Sequence, residues 1–203
     1  MTAEVRPLHA AAVTALMGGV LGGLLGGCSV LDRSSGGCEG LADDCSHLVD
    51  VRGTHAVFTV RVPETWGIGS AREDAVCDSA SYRFDELPDV WGRLVVEAVP
   101  THCPEAGSNT AIGNGSHGVY RTVDDVPHPE DLSTVRTAVG EATVFTQEYY
   151  ECTNSCHRWH EPVAIIALDD PVDPGYPTLV LRGQQDRLTR AELEEILHGL
   201  EKP

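Results

Sequence analysis

Lysine, methionine and aromatic residues are all scarce in this chain. Lys202 is the single lysine, and the 14 basic residues face 31 acidic ones, for a net charge of -17 over 203 residues. A surface so short of cations cannot displace the counterions of a phosphate backbone, which argues against a nucleic-acid partner. The acid excess suits a soluble surface that repels its own kind. Both methionines, Met1 and Met17, sit near the amino terminus, so the remainder is a poor candidate for thioether coordination of copper(I). Hydrophobic residues make up 41%, slightly low for a globular domain but above the disordered range. Long apolar runs are missing, with one exception.

That exception is "AAAVTALMGGVLGGLLGG", residues 10–27, which carries no charge and ends immediately before Cys28. Arg6 precedes it, and small residues close it. A positive segment, an apolar segment and a small-residue terminus form an export signal. The ending "LLGGC" (Leu25, Gly26, Gly27, Cys28) resembles the lipobox of bacterial lipoproteins. That resemblance implies a cysteine acylated on sulfur, such as by palmitate, which then becomes the first residue of the mature chain. The competing expectation is a retained membrane helix, since Gly18, Gly22 and Gly26 make a small-residue face. Eighteen residues reach about 27 Å, near the lower limit for spanning. No basic stop-transfer cluster follows, which favours the lipoprotein. Either way the rest of the chain lies outside the cytoplasm. Two acyl chains, at about 0.8 kcal/mol per buried methylene, hold such a protein on the membrane. Losing residues 1–27 removes one acid, Glu4, and one base, Arg6, so the net charge is unchanged.

Residues 28–50 are rich in Ser, Gly and Asp and read as a lipidated tether; residues 51–203 read as one extracytoplasmic domain. From Ala56, apolar residues alternate through Phe58, Val60 and Val62 until Pro63, the pattern of a half-buried strand. Further strands are expected over 79–84, 92–99, 140–152, 162–168 and 177–182. The continuous apolar run Val163 to Leu168 suits a central strand covered on both faces. Residues 128–139 are a weak helix candidate. One helix is well marked: Thr189 and Glu192 form a capping box, and Leu193, Ile196, Leu197 and Leu200 make one apolar stripe. The expected fold is α+β, a mainly antiparallel sheet with a carboxy-terminal helix packed on it. The strand "AVFTVRVPETWGI" running into Val-Pro and Trp, and the closing "LTRAELEEILHGL", resemble the first and last parts of Mog1p/PsbP-like domains, as in actinobacterial lipoproteins of the LpqN/LpqT type. That resemblance implies the fold only and carries no functional residue.

Of the seven cysteines, six remain once Cys28 is assigned to lipid. An even number in an exported chain points to disulfides, with 15 connectivities open in principle. Neighbour pairing, Cys38–Cys45, Cys77–Cys103 and Cys152–Cys156, is the expected one. The last rests on local geometry in "YYECTNSCHRWHEP". If Thr153–Ser155 is a three-residue hairpin loop, Cys152 faces Cys156 at about 4.5 to 5.5 Å between Cα atoms. The same register pairs Glu151 with His157, Tyr150 with Arg158, Tyr149 with Trp159 and Glu148 with His160, and each rung is chemically sensible.

Strand alternation also sends His157 and His160 to opposite faces, which weakens a metal site made from them with the loop histidines His102, His117 and His128. Haem attachment needs two residues between the cysteines, and three stand there. Asp124, Asp125, Asp169, Asp170 and Asp173 lack the alternating spacing of a calcium loop. Ser116 beside His117 is no triad, and no coherent catalytic set emerges. Trp66, Trp91 and Trp159 are expected in or near the core. The sequence therefore points to a membrane-tethered protein that binds rather than catalyses, taking a cell-envelope protein or a small ligand and needing no cofactor. A metal-binding protein and a secreted hydrolase are the alternatives. Intact mass spectrometry of the membrane-purified protein is expected to show loss of residues 1–27, added acyl mass on Cys28, and six protons missing for three disulfides. A chain beginning at Met1 with free thiols would contradict this.

Overall fold

The computed structural model describes residues 4–7, 46–53, 55–67, 69, 72–73, 80–85, 92–101, 115, 120, 122, 124 and 130–202. Ten strands and one helix follow in order: β1 (Glu4–Pro7), β2 (Ser46–Arg52), β3 (Val57–Pro63), β4 (Arg72–Glu73), β5 (Ala80–Phe84), β6 (Leu94–Val99), β7 (Ser133–Arg136), β8 (Gly140–Cys152), β9 (Cys156–Leu168), β10 (Thr178–Gly183) and α1 (Arg190–His198). They build two antiparallel sheets. The larger has the order β4-β5-β6-β10-β9-β8-β7; the smaller is β1-β2-β3. The chain is an α+β protein, mainly antiparallel, with its one described helix at the carboxy-terminal end.

Residue parity assigns each face of the large sheet. Leu94, Val96 and Ala98 of β6, Leu179 and Leu181 of β10, Ala164 and Ile166 of β9, and Ala142 and Val144 of β8 share one face. Against that face lie Val49 and Val51 of β2, Phe58, Val60 and Val62 of β3, and Leu193, Ile196 and Leu197 of α1. Each such side chain contributes roughly 1.5–3 kcal/mol by leaving water. The opposite face carries a smaller cluster of Val99, Tyr120, Phe145, Val163, Ile165 and Val180. Of the run Val163 to Leu168, Val163–Ile166 are buried as expected for a strand covered on both faces, whereas Ala167 is exposed and Leu168 half-buried.

The helix begins where the capping box places it. Glu192 N donates to Thr189 Oγ1 at 3.2 Å, and Thr189 N donates to Glu192 Oε2 at 2.7 Å. Arg190 latches the helix to the sheet edge, donating to Asp131 Oδ2 at 2.6 Å, Ser133 Oγ at 2.7 Å and the Val144 carbonyl at 3.3 Å. Beyond the helix, Glu201 exchanges two backbone hydrogen bonds with Thr59, closing the inner edge of β3.

Two expectations are corrected. The tether assigned to residues 28–50 overlaps β2, whose first residue is Ser46. Val49 and Val51 are buried there, and a composition window dominated by upstream Gly and Asp concealed their alternation. The helix candidate at 128–139 contains strand β7 instead, four residues without an apolar stripe, paired on the edge of β8. Glu4–Pro7, within residues 1–27, pairs with β2 as strand β1. Among the described residues no helix is long and apolar enough to cross a membrane.

Gly140 opens β8 where the sheet leaves no room for a side chain. An added Cβ would lie 2.0 Å from the Ala167 carbonyl oxygen, whereas at Gly67 nothing lies within 4 Å. Gly140→Ala is expected to destabilise the domain by about 1–3 kcal/mol, and Gly67→Ala to stay within about 0.5 kcal/mol. Thermal or urea unfolding of the two variants measures the contrast.

Candidate functional site

The β8–β9 hairpin answers the question posed by the cysteine–histidine cluster. Its register pairs Cys152 with Cys156, Glu151 with His157, Tyr150 with Arg158, Tyr149 with Trp159 and Glu148 with His160, as the sequence requires. A disulfide joins Cys152 to Cys156, with Cα atoms 4.1 Å apart, slightly closer than expected for facing strand residues. Tyr149 and Trp159 stack at 5.4 Å between ring centroids, and His157 also stacks with Trp159 at 5.6 Å. His160 lies on the opposite face, 4.0 Å from Glu148 and 3.9 Å from Asp186. Arg158, opposite Tyr150 in the ladder, forms an ion pair with Glu148 at 3.4 Å.

Among the described residues no group of three or more His, Cys, Asp or Glu side chains converges as a metal site. Ser155 Oγ does lie 3.0 Å from His157 Nε2. The pair sits at the exposed hairpin tip, and the other contact of the His157 ring is Trp159 rather than a carboxylate. A nucleophile and base without an orienting acid, in open solvent, fall short of a triad. Cys28, Cys38, Cys45, Cys77, Cys103, His102, His117, His128, Ser116, Trp91 and Asp125 lie outside the described residues, so the other two disulfides and the loop-histidine alternative do as well. Asp124 is exposed, and Trp66 is buried with the Arg93 guanidinium 5.4 Å from its ring.

Two arrangements escaped sequence reasoning. The first is a polar array on the second face of the large sheet. Glu161 is fully buried and accepts from Gln147 Nε2 at 3.1 Å and from the Gln185 backbone N–H at 3.0 Å. Gln147 Oε1 in turn accepts from the Tyr120 hydroxyl at 2.8 Å. Arg182, also buried, pairs with Glu97 at 3.2 Å. Gln185 and Asp186 both have positive φ, 52° and 56°, in the turn that leads to α1. Glu161 therefore ties β8, β9 and a strained turn together. Through these bonds the array positions backbone, although Arg182 Nε is buried without a hydrogen-bond partner. The only hint in the sequence was charge inside apolar strands, as in "LVVEAV" and "TLVLR".

The second arrangement is a cleft of about 210 Å³ below the start of β3, lined by Ala56, Val57, Phe58, Val139, Leu168, Asp170, Val172, Leu179 and Lys202. Its lip is the loop 169–177, "DDPVDPGYP", which reads as a plain turn. Contacts make it stiff. The Gly175 and Tyr176 amides donate to Asp173, to Oδ1 at 2.8 Å and to the carbonyl at 2.8 Å. His55 Nδ1 lies 2.9 Å from Asp173 Oδ2 while its ring stacks on Tyr176 at 3.7 Å. The hydrogen bond from His55, with that from the Gly175 amide, holds the Asp173 carboxyl below the usual carboxylate range. The loop presents Val172 with 59% of its surface exposed, on the rim of an otherwise apolar wall. Asp170 and Lys202 are the charged members of that rim, and both are exposed.

No family model, no curated protein and no solved structure matches this chain. The site therefore stands on its own chemistry. What the described residues offer is an apolar concavity with a rigid lip, and beside it a sheet face locked by buried polar bonds.

That locked face has a measurable signature. Burial pushes the Tyr120 hydroxyl up against the lowering effect of the Arg182 charge, with a smaller upward push from Glu161; burial, then Glu151 and Glu161, raises Tyr149. A raised folded value means the fold holds the proton more tightly than the unfolded chain. Its contribution is complete below the ordinary tyrosine value of about 10 and is lost as pH rises through the folded value. Ultraviolet titration is expected to show late-ionising tyrosines, one fewer in Tyr120→Phe. Simultaneous ionisation of all five tyrosines near the ordinary value would contradict it.

Proposed function

We propose that this protein is a lipid-anchored, extracytoplasmic binding protein, moored through Cys28, that offers the cleft below β3 to an apolar ligand group. The reading rests on one structural observation: the exposed Val172 is held on a stiff loop at the rim of an apolar concavity. Apolar surface held open in this way has a use when something covers it. At about 210 Å³ the cleft is smaller than the roughly 300–1,000 Å³ typical of drug-sized sites. It suits a branched side chain or a short acyl segment better than a whole cofactor. Lys202 and Asp170 at the rim can meet a polar head of either sign.

Support for the location comes from the apolar run that ends at "LLGGC" and from the Cys152–Cys156 disulfide, since such bonds persist in oxidising compartments. The likeness to Mog1p/PsbP-like domains adds the strand–Val-Pro–Trp opening and the strand–helix ending, and nothing about the ligand.

Titration of the purified protein with 1-anilinonaphthalene-8-sulfonate, an apolar anion that fluoresces when shielded from water, tests the site. Val172→Glu places a charge on the apolar rim and is expected to weaken binding about tenfold or more, as for loss of roughly 1.5 kcal/mol of apolar burial. Equal affinity in the two proteins would remove the cleft as the binding site.

A further inference from the structure

The small sheet has an outer strand with a particular origin. Glu4–Pro7 pairs antiparallel with β2 in the register Glu4 with Arg52, Val5 with Val51, Arg6 with Asp50 and Pro7 with Val49. On the proposed reading, residues 1–27 are removed on export, and this strand goes with them. The outer edge of β2 is then unpaired from Val49 to Arg52, and an open edge of backbone N–H and C=O groups recruits another strand.

What fits that edge is written in β2 itself. The leaving tripeptide is Glu4-Val5-Arg6, acid, valine, arginine; β2 contains Asp50-Val51-Arg52, the same chemistry in the same order. Laid antiparallel on a second β2 with Val51 opposite Val51, it sets Asp50 opposite Arg52 twice, once on each side of the symmetry axis. This preserves the rungs that β1 makes and the parity of side-chain faces, so the buried Val51 stays on the core side in both copies. Such a contact is isologous and closes at two copies.

We infer that, once the leader is cleaved, β2 pairs with β2 of a second copy of this chain, joining two small sheets into one across a two-fold axis.

The charged pair is already displayed for this. Arg52 keeps 60% of its side chain exposed, 3.3 Å from the Asp50 carboxylate. The Thr59 hydroxyl donates to Asp50 at 2.6 Å and fixes its direction, and that bond, with Arg52, holds the carboxyl below the usual carboxylate range. Four residues of strand make a small contact, and a net charge of -17 per copy opposes it. Tethering to one membrane compensates, because lipid anchors confine the copies to a film and raise their effective concentration. In the uncleaved chain β1 occupies the edge, so pairing before export is blocked.

The inference rests on the proposed processing at Cys28, and one experiment separates the two. Protein made from the full-length gene is purified from membranes and its mass is taken first; retention of residues 1–27 overturns the processing, and with it the vacated edge. Processed protein is then sedimented in density-matched detergent over a concentration series. Reversible dimers are expected, with Arg52→Glu weakening them about tenfold or more, since it sets like charges opposite each other on two rungs. Arg52→Glu alters an exposed side chain and leaves the fold intact, which circular dichroism checks. Mixing the Arg52→Glu chain with an Asp50→Lys chain is expected to restore association, because both rungs of the mixed pair again set a cation opposite an acid. A processed chain that stays monomeric overturns the pairing alone, as does a dimer indifferent to Arg52→Glu.

Discussion

The register of the β8–β9 hairpin is the constraint on which the rest of the structure depends. Thirteen rungs run from Gly140 opposite Leu168 to Cys152 opposite Cys156, and a slip of one residue would turn every side chain to the wrong face. In this register Ala142, Val144, Ala164 and Ile166 meet the helix and the small sheet, while Phe145, Val163 and Ile165 build the second cluster. The disulfide pins the far end of the ladder; Gly140, with the Ala167 carbonyl against it, sets the near end. Strand β10 reads its own register from β9, and β6 from β10, so the choice made at one hairpin propagates across the sheet.

The same parity explains why charged residues occur inside the large sheet. Glu161, Glu97 and Arg182 all fall on the second face, where each meets a partner: two amide donors for Glu161, and each other for Glu97 and Arg182. Buried ions of this kind add little net stability compared with apolar replacements, but losing one partner is costly. Their effect is to define which turn follows β10, since the positive-φ pair Gln185–Asp186 is held by the Glu161 carboxylate and by the His160 backbone N–H to Asp186. That turn delivers Thr189 to the start of α1 and so positions the helix against the core.

Function and fold meet at the first half of β3. Its first residues line the cleft, and its partner β2 carries the edge that faces away from the core. On the proposed reading, the small apolar site and the strand edge close by hold a ligand group and a second copy without moving the core. The disulfide Cys152–Cys156 closes the far end of the β8–β9 ladder.

The legible parts of the sequence were those governed by neighbours in the chain. The capping box at Thr189 and Glu192, the strand alternation from Ala56 to Pro63, and the full hairpin register from Tyr149 to Trp159 all follow from local periodicity and turn chemistry. Strand β2 was hidden because five residues of alternation were outweighed by the composition before them, and β7 because an exposed edge strand has no apolar pattern to display. The cleft was illegible: Phe58, Leu168 and Leu179 look like ordinary core residues, and Val172 like a turn residue beside proline. By itself the sequence determined that β3, β5, β6, β8, β9 and β10 are strands, where the helix starts and how one hairpin closes, because those depend on residues a few positions apart. Only the tertiary structure decided which apolar side chains are left uncovered and which buried charges meet, because both depend on contacts between segments far apart in the chain, such as His55 with Asp173.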